Sequence, residues 1–331
     1  MTQSPLFIAG PDRSGTTLLY AILASHPNIS MVRRTNYWRW FYGRFGSLSV
    51  EENLDKLLHR MLSYKRIEPL KPDGKRIREE FMQGEPSYGR LFALFHEHNA
   101  ERLGKTRWGD KSLHTELYMD NVIQEFPQAK VIHTIRDPRD RYASVRKRFG
   151  GDNPRLGAST ASWLSSIYAA RRNLRKYPEN YMILRFEDLV SDPENTCRKL
   201  CEFIGEEYDP VMLTMEGASK YKDSGGNSSF DKIKPGVIST KPVGRYKKVL
   251  TGSEIVFIQL FTGKIMREFG YPLEGIKLPV SEKIKFYFWI FPSHLIRMLG
   301  WTALSLVFRN KPRVPENRFY EKEITNVSQE A

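Results

Sequence analysis

Leu6-Phe7-Ile8-Ala9 runs directly into Gly10-Pro11-Asp12-Arg13-Ser14-Gly15-Thr16-Thr17, and this stretch decides the fold. A short apolar run feeds a glycine-framed loop, and the loop feeds a helical pattern of apolar residues, Leu18, Leu19, Ile22 and Leu23. In that layout backbone N–H groups and a helix N-terminus face an anion. The frame G-x-x-x-x-G-x-T fits a nucleotide-binding loop, except that Thr16 stands where the pattern requires lysine. A cation is still present three residues upstream, at Arg13. Phosphate geometry without the lysine expected for ATP or GTP points to a different phosphorylated donor.

The chain around this loop has 331 residues, 40% hydrophobic and 12% aromatic, enough for one large domain with a substantial core. Its formal net charge of +14 favours anionic partners, among them phosphorylated cofactors, acidic polymers and anionic membrane surfaces. Nucleic acid is not expected as a partner. The two cysteines, Cys197 and Cys201, lie four apart in the helix-like segment Glu194–Ile204 and read as buried thiols. A metal site needs about four ligands, so no metal is expected from them. The first apolar run is too short for a signal peptide, and the expected location is cytoplasmic.

Strand-like and helix-like segments alternate through the first 205 residues. Leu6–Ala9, Lys130–Ile135 and Tyr181–Phe186 read as short buried strands of a parallel sheet. Helical patterns cover Thr16–Ala24, Arg139–Arg148 and Ser159–Lys176, and a long insertion after the first strand carries two more, Glu51–Tyr64 and Tyr88–Leu103. This alternation predicts an α/β, doubly wound parallel sheet flanked by helices. From Tyr221 to Lys248 the chain is rich in Gly, Ser, Lys and Pro. It is an ordinary surface loop or one that covers the donor, and its recurring basic and hydroxyl residues favour the second.

Residues 286–308 are mostly apolar but contain Pro292, His294 and Arg297. At helical spacing His294, Arg297, Thr302 and Ser305 fall on one side, with Leu295, Leu299, Trp301 and Phe308 elsewhere. Lys283 and Lys285 precede the run, and Arg309, Lys311 and Arg313 follow it. Three readings stand: an interfacial membrane helix making peripheral contact through residues 283–313, a helix packed on its own domain or a partner subunit, or a span. The central arginine weighs against the last.

A second anion-binding pattern is Val131-Ile132-His133-Thr134-Ile135-Arg136-Asp137-Pro138-Arg139-Asp140-Arg141-Tyr142-Ala143-Ser144. Here a buried strand ends at Arg136, which places that guanidinium in the crevice where open α/β sheets bind ligands. Pro138 suits the first turn of the helix that follows, and on it Ser144 and Arg148 share a face. A guanidinium and a hydroxyl are suited to gripping a terminal phosphate. The alternative is a solvated basic helix face.

With both motifs present, RSGTT near the start and IRDPRDRYAS some 120 residues on, the chain resembles the sulfotransferase superfamily, which uses 3′-phosphoadenosine 5′-phosphosulfate (PAPS) as donor. The resemblance is to the branch with Golgi tyrosylprotein and bacterial sulfotransferases more than to the cytosolic aryl enzymes, and it covers residues 5–270. It implies a P-loop-like sulfotransferase domain over residues 1–275, with an apolar, basic helical extension and tail over 276–331. It also implies that Ser14, Gly15, Thr16 and Thr17 hold the 5′-phosphosulfate, that Arg13 bridges phosphate and sulfonate oxygens, and that Lys111, in Trp108-Gly109-Asp110-Lys111, reaches the sulfonate. By the same resemblance Arg136, Ser144 and Arg148 hold the 3′-phosphate, while Ser229 and Arg245 belong to a loop that closes over the donor. No metal is implied.

One departure matters. The branch usually carries a glutamate base shortly after the His-Pro turn, here His26-Pro27, but this chain has Arg33 and Arg34 at that place. An arginine does not accept a proton at neutral pH. Glu85 and His114 are the candidate bases, with histidine well placed in pKa, and Asp110 or a base-free mechanism remains as an alternative. Arg33 and Arg34 are then candidates for an anionic acceptor, and His133, inside a strand, reads as core. The expected partner is a hydroxylated (or amine) acceptor: a lipid, glycolipid, carbohydrate or peptide tyrosine. The aromatic stretch Tyr37–Tyr42 either lines its pocket or is helix core. Two other functions fit the motifs, a nucleotide kinase with a degenerate loop and a non-catalytic PAP- or anion-binding module.

Overall fold

The opening strand, β1 (Leu6–Ala9), is buried from both sides at once. Phe7 and Ala9 enter one apolar core, Leu6 and Ile8 the other, and all four are fully buried. A strand covered on both faces needs no polar alternation, which is why four consecutive apolar residues form it. In the computed structural model, which describes residues 4–150, 155–226, 230, 234–310 and 314–320, four more strands join it. They are β2 (Ile29–Arg33), β3 (Arg107–Lys111), β4 (Lys130–Ile135) and β5 (Tyr181–Arg185). The sheet is parallel throughout in the order β2-β3-β1-β4-β5, with Ile8 opposite both Lys111 and Ile132. From β1 the chain builds outward first on one side and then on the other. A crevice therefore opens beyond the carboxyl ends of the central strands.

The α/β doubly wound architecture is the one the sequence predicts, and β1, β4 and β5 are its three expected strands. The stretch read as a helical insertion contains two strands besides its helices, Glu51–Leu62 and Tyr88–Arg102. β3 escaped the apolar pattern because it reads Arg-Trp-Gly-Asp-Lys, yet every residue of it is buried. Most of its polar groups find partners inside the fold, although Asp110 Oδ2 is buried without one. Arg107 donates to Ser4 O at 2.6 Å, to Ile204 O at 2.7 Å and to Glu206 at 3.0 Å. Asp110 and Lys111 close the strand at its functional end.

The aromatic stretch is core. Tyr37, Trp38 and Phe41 are buried, and the Tyr37 ring stacks on Phe92 at 4.2 Å between centroids. Cys197 and Cys201 are buried free thiols on the Pro193–Ile204 helix, and burial pushes them up to about 12 and about 11.

The C-terminal extension corrects one expectation. Its Phe291–Asn310 helix lies along the Leu156–Lys176 helix, closely enough that a Cβ on Gly157 would collide with the His294 carbonyl. The half-buried stripe is Phe291, His294, Met298, Trp301, Ser305 and Phe308, spaced by threes and fours. His294 and Ser305, read as part of a polar side, thus face the domain, and it is an apolar face that points outward.

Candidate active site

The loop of residues 10–15 bends at two glycines that nothing else can replace. Gly10 has φ 120°, and a Cβ there would lie 2.5 Å from Thr134 O; at Gly15, φ 91°, a Cβ would overlap the Phe186 ring. These contacts press the loop against β4 and the residue just after β5, while Arg141 holds it from behind by donating to Asp12 O at 2.9 Å and to the Asp12 carboxylate. The helix that follows, Thr16–Ser25, has no side-chain cap and no acid in its first turn. Its leading N–H groups therefore keep their donors for whatever enters the cleft.

That cleft, about 100 Å³ in volume, brings the two motifs to one place. Gly15, Thr16 and Thr17 form its floor, with Arg13, Arg136, Ser144 and Arg245 around it. Arg13 donates from Nε to Ser144 Oγ at 2.9 Å, across 131 residues of sequence. Arg136 donates to Arg13 O at 3.2 Å and to Pro242 O at 2.6 Å, and its guanidinium lies 4.7 Å from the Phe186 ring centroid. Two buried polar atoms here, Ser14 Oγ and Arg136 Nε, have no protein partner. An anionic oxygen satisfies such donors, and leaving them unmet is costly. Burial lowers the Arg13 guanidinium to about 10, with Arg148 and Arg136 pushing the same way. Positive charge is concentrated here, and an anion relieves it.

The polar stretch after Tyr221 does cover this cleft where it is described. Val237, Ile238, Ser239 and Pro242 line it. Asp140 fastens its far end, accepting from Gly244 N at 2.7 Å and Tyr246 N at 2.8 Å. Arg245 sits over Phe230 at 4.4 Å. Ser229 lies outside the described residues. Arg148 is exposed at the end of its helix and adds its charge near Arg13 and Arg34 rather than lining the cleft.

On the other side of Arg13, Lys111 is buried and lowered to about 8, first by burial and then by Arg34 and Arg33. Arg34 N donates to Lys111 O at 2.8 Å, so the arginines after β2 stand beside this lysine. Arg34 is in turn lowered by burial and by Arg66, Arg33, Arg148 and Arg318. None of these five arginines makes an ion pair among the described residues. The neighbouring Asp110 is raised to about 6 by burial, and its Oδ1 accepts from Thr35 at 2.9 Å.

His114, half-buried and with φ 66°, stands near the Asp12 carboxylate at the mouth of β3. Burial lowers it below its ordinary 6.5. Its Nδ1 is 3.9 Å from Glu116, a fully buried carboxylate absent from the sequence reading. Glu116 accepts from Gly10 N at 3.2 Å and Ser166 at 2.6 Å. Burial alone would raise Glu116, but His133, His114 and these donors hold it below its usual value. His133 bonds Tyr181 at 2.6 Å and is core, as read. Glu85, the other candidate base, is exposed in the turn before the Tyr88–Arg102 helix; neither it nor His114 lines the cleft, and His114 instead lines a neighbouring pocket with Glu116, Ser166 and Trp301.

A profile of the sulfotransferase family matches residues 5–210. The chain belongs to the sulfotransferase family. Among its relatives, an uncharacterized protein of Aquifex aeolicus is 26% identical over 76% of this chain and 32% of its own length. The protein-tyrosine sulfotransferase of Drosophila melanogaster is 26% identical over 64% of this chain and 40% of its own. Rat sulfotransferase 2A1 is 28% identical over 38% of this chain and 46% of its own. Each match thus spans less than half of the relative's length. Two solved domains share the fold at 20% identity. That of the Synechococcus PCC 7002 olefin synthase has TM-score 0.58, covering 82% of this chain and 97% of that one. That of the curacin biosynthetic pathway has TM-score 0.54, covering 82% and 99%. Within this sulfotransferase-family chain the profile takes in both anion-binding motifs, Lys111 and His114, and ends before the segment that Asp140 fastens.

Proposed function

We propose that the chain transfers a sulfonate from PAPS to a hydroxyl or amine acceptor. The observation that carries this reading is the Arg13–Ser144 hydrogen bond, which joins the two anion-binding motifs into one cleft. Arg136 and Ser144, with Arg148 adding charge, hold the 3′-phosphate. Ser14 and the N–H groups of Gly15, Thr16 and Thr17 take the 5′-phosphosulfate, and Arg245 with Ser229 closes over the donor. Phe186, Val190 and Ile238 supply an apolar wall for the purine. The acceptor oxygen attacks sulfur, the bond from sulfur to the 5′-phosphate oxygen breaks, and PAP leaves. Arg13 and Lys111 neutralise the charge that builds on the equatorial and leaving oxygens. His114, kept neutral by burial and steadied by Glu116, takes the acceptor proton. The arginines beside Lys111 favour an acceptor that carries an anionic group near its hydroxyl.

The test is PAP release from PAPS on acceptor addition, with ³⁵S-labelled product. Magnesium-dependent ATP turnover without it would mean a kinase, and PAP binding with no transfer a binding module. The transfer rate should follow a bell in pH. Neutral His114 is required, so the rate rises with pH through a value below 6.5. Charged Lys111 is required, so the rate falls as pH passes about 8. Lys111→Arg should remove the falling limb, because guanidinium stays charged. His114→Ala should remove the rising limb and cost about a hundred- to ten-thousandfold in kcat. Glu85→Ala should leave the profile unchanged; a lost rising limb in that variant would transfer the role to Glu85.

A further inference from the structure

The outward face of the C-terminal extension is unlike the rest of the surface. Tyr287, Phe288, Trp289, Leu299, Leu306 and Val307 are 59–75% exposed, although the inner stripe of the same segment is seated on the domain. A contiguous run of large exposed apolar side chains marks a contact surface. Its borders are cationic. Lys283 and Lys285 are exposed just before the aromatic cluster, and Arg297, also exposed, falls by helical spacing on the flank of the Ile296–Leu299–Leu306 stripe. None of these three cations makes an ion pair among the described residues.

We propose that residues 280–309 dock the protein on the surface of an anionic lipid bilayer, with the outward apolar face in the acyl boundary and the three cations among the headgroups. An interfacial helix has this arrangement, apolar on one face and basic along its edges, with aromatic residues at the boundary. The Gly157–His294 backbone contact seats the helix along the Leu156–Lys176 helix, so the folded domain covers one side of it and leaves the apolar side for a surface. Charge separates a bilayer from a second copy of the chain. In a two-fold pairing the basic borders would meet their own kind on a protein of net charge +14, whereas anionic headgroups neutralise them. The inference stands whether or not sulfonate is the group transferred.

Co-sedimentation of the full chain with phosphatidylcholine vesicles, with and without phosphatidylglycerol, tests it, alongside the solution mass. Binding to the phosphatidylglycerol vesicles, weakened by salt, is the expected result. Phe288→Glu with Trp289→Glu should weaken it at least tenfold while leaving the melting temperature and PAP binding unchanged. Should that pair fail to fold, Lys283→Glu with Lys285→Glu, fully on the surface, should still lose the preference for anionic vesicles. The proposal is overturned if the full chain stays in the supernatant with anionic vesicles, or if neither pair of substitutions changes binding. It is equally overturned if the chain is a dimer that the aromatic pair dissolves, since a second copy then covers the face.

Discussion

Arg13→Ala lowers sulfonate transfer by about a hundred- to thousandfold, the loss of ~3–4 kcal/mol of transition-state stabilisation that follows removal of one oxyanion donor. The effect falls on kcat more than on donor affinity, because negative charge on the transferring oxygens is greatest during transfer. Arg13 also donates to Ser144, so the hydroxyl proposed to grip the donor loses its neighbour in the same variant. Backbone strain is a separate matter: Arg13 has φ 65°, where alanine costs roughly 1–2 kcal/mol. Arg13→Gly adopts that conformation freely and provides the control. Both variants should transfer equally slowly while differing in melting temperature. A glycine variant at the wild-type rate removes Arg13 from the chemistry.

Arg136→Ala is expected to weaken PAP binding by roughly thirty- to several-thousandfold, as truncating one member of a buried charge pair costs ~2–5 kcal/mol. Isothermal titration measures it directly. Arg136 is buried and bonded to the backbone at Arg13 and Pro242, so it ties the glycine loop to the segment covering the cleft. Arg136→Lys keeps the charge but not the planar fork. It should recover only a small part of the affinity. Unchanged PAP binding in the alanine variant would remove the 3′-phosphate from this end of the cleft.

What was legible in the sequence was what local order encodes. β1, its loop and the helix after it are contiguous, and so are β4, Arg136 and the helix carrying Ser144, so both halves of the anion site were readable. β3 was not, because its Arg107, Asp110 and Lys111 are buried polar residues that break the apolar run by which a buried strand is identified. Glu116 was hidden for another reason. Its partner Gly10 is 106 residues away, and nothing near Glu116 in the chain distinguishes it from a surface acid. The C-terminal helix shows the limit of periodicity. The polar set read at helical spacing is split, with His294 and Ser305 turned to the domain and Arg297 and Thr302 exposed, because contact with Gly157 and Phe257, which spacing alone does not encode, takes the His294 side inward.

Arg34 and the four arginines around it have a kinetic consequence. Like charges grouped without ion-pair partners oppose folding, but they set up a field that reaches into solvent. At ordinary salt that field extends about a Debye length, ~10 Å. If the proposed donor is bound here, this field draws it toward the cleft before contact. Its association rate should fall about tenfold or more from low to physiological salt while dissociation barely changes, as stopped-flow at several ionic strengths would show. On this reading Arg33 and Arg34 make the site an electrostatic funnel whose speed is set by the ions around it.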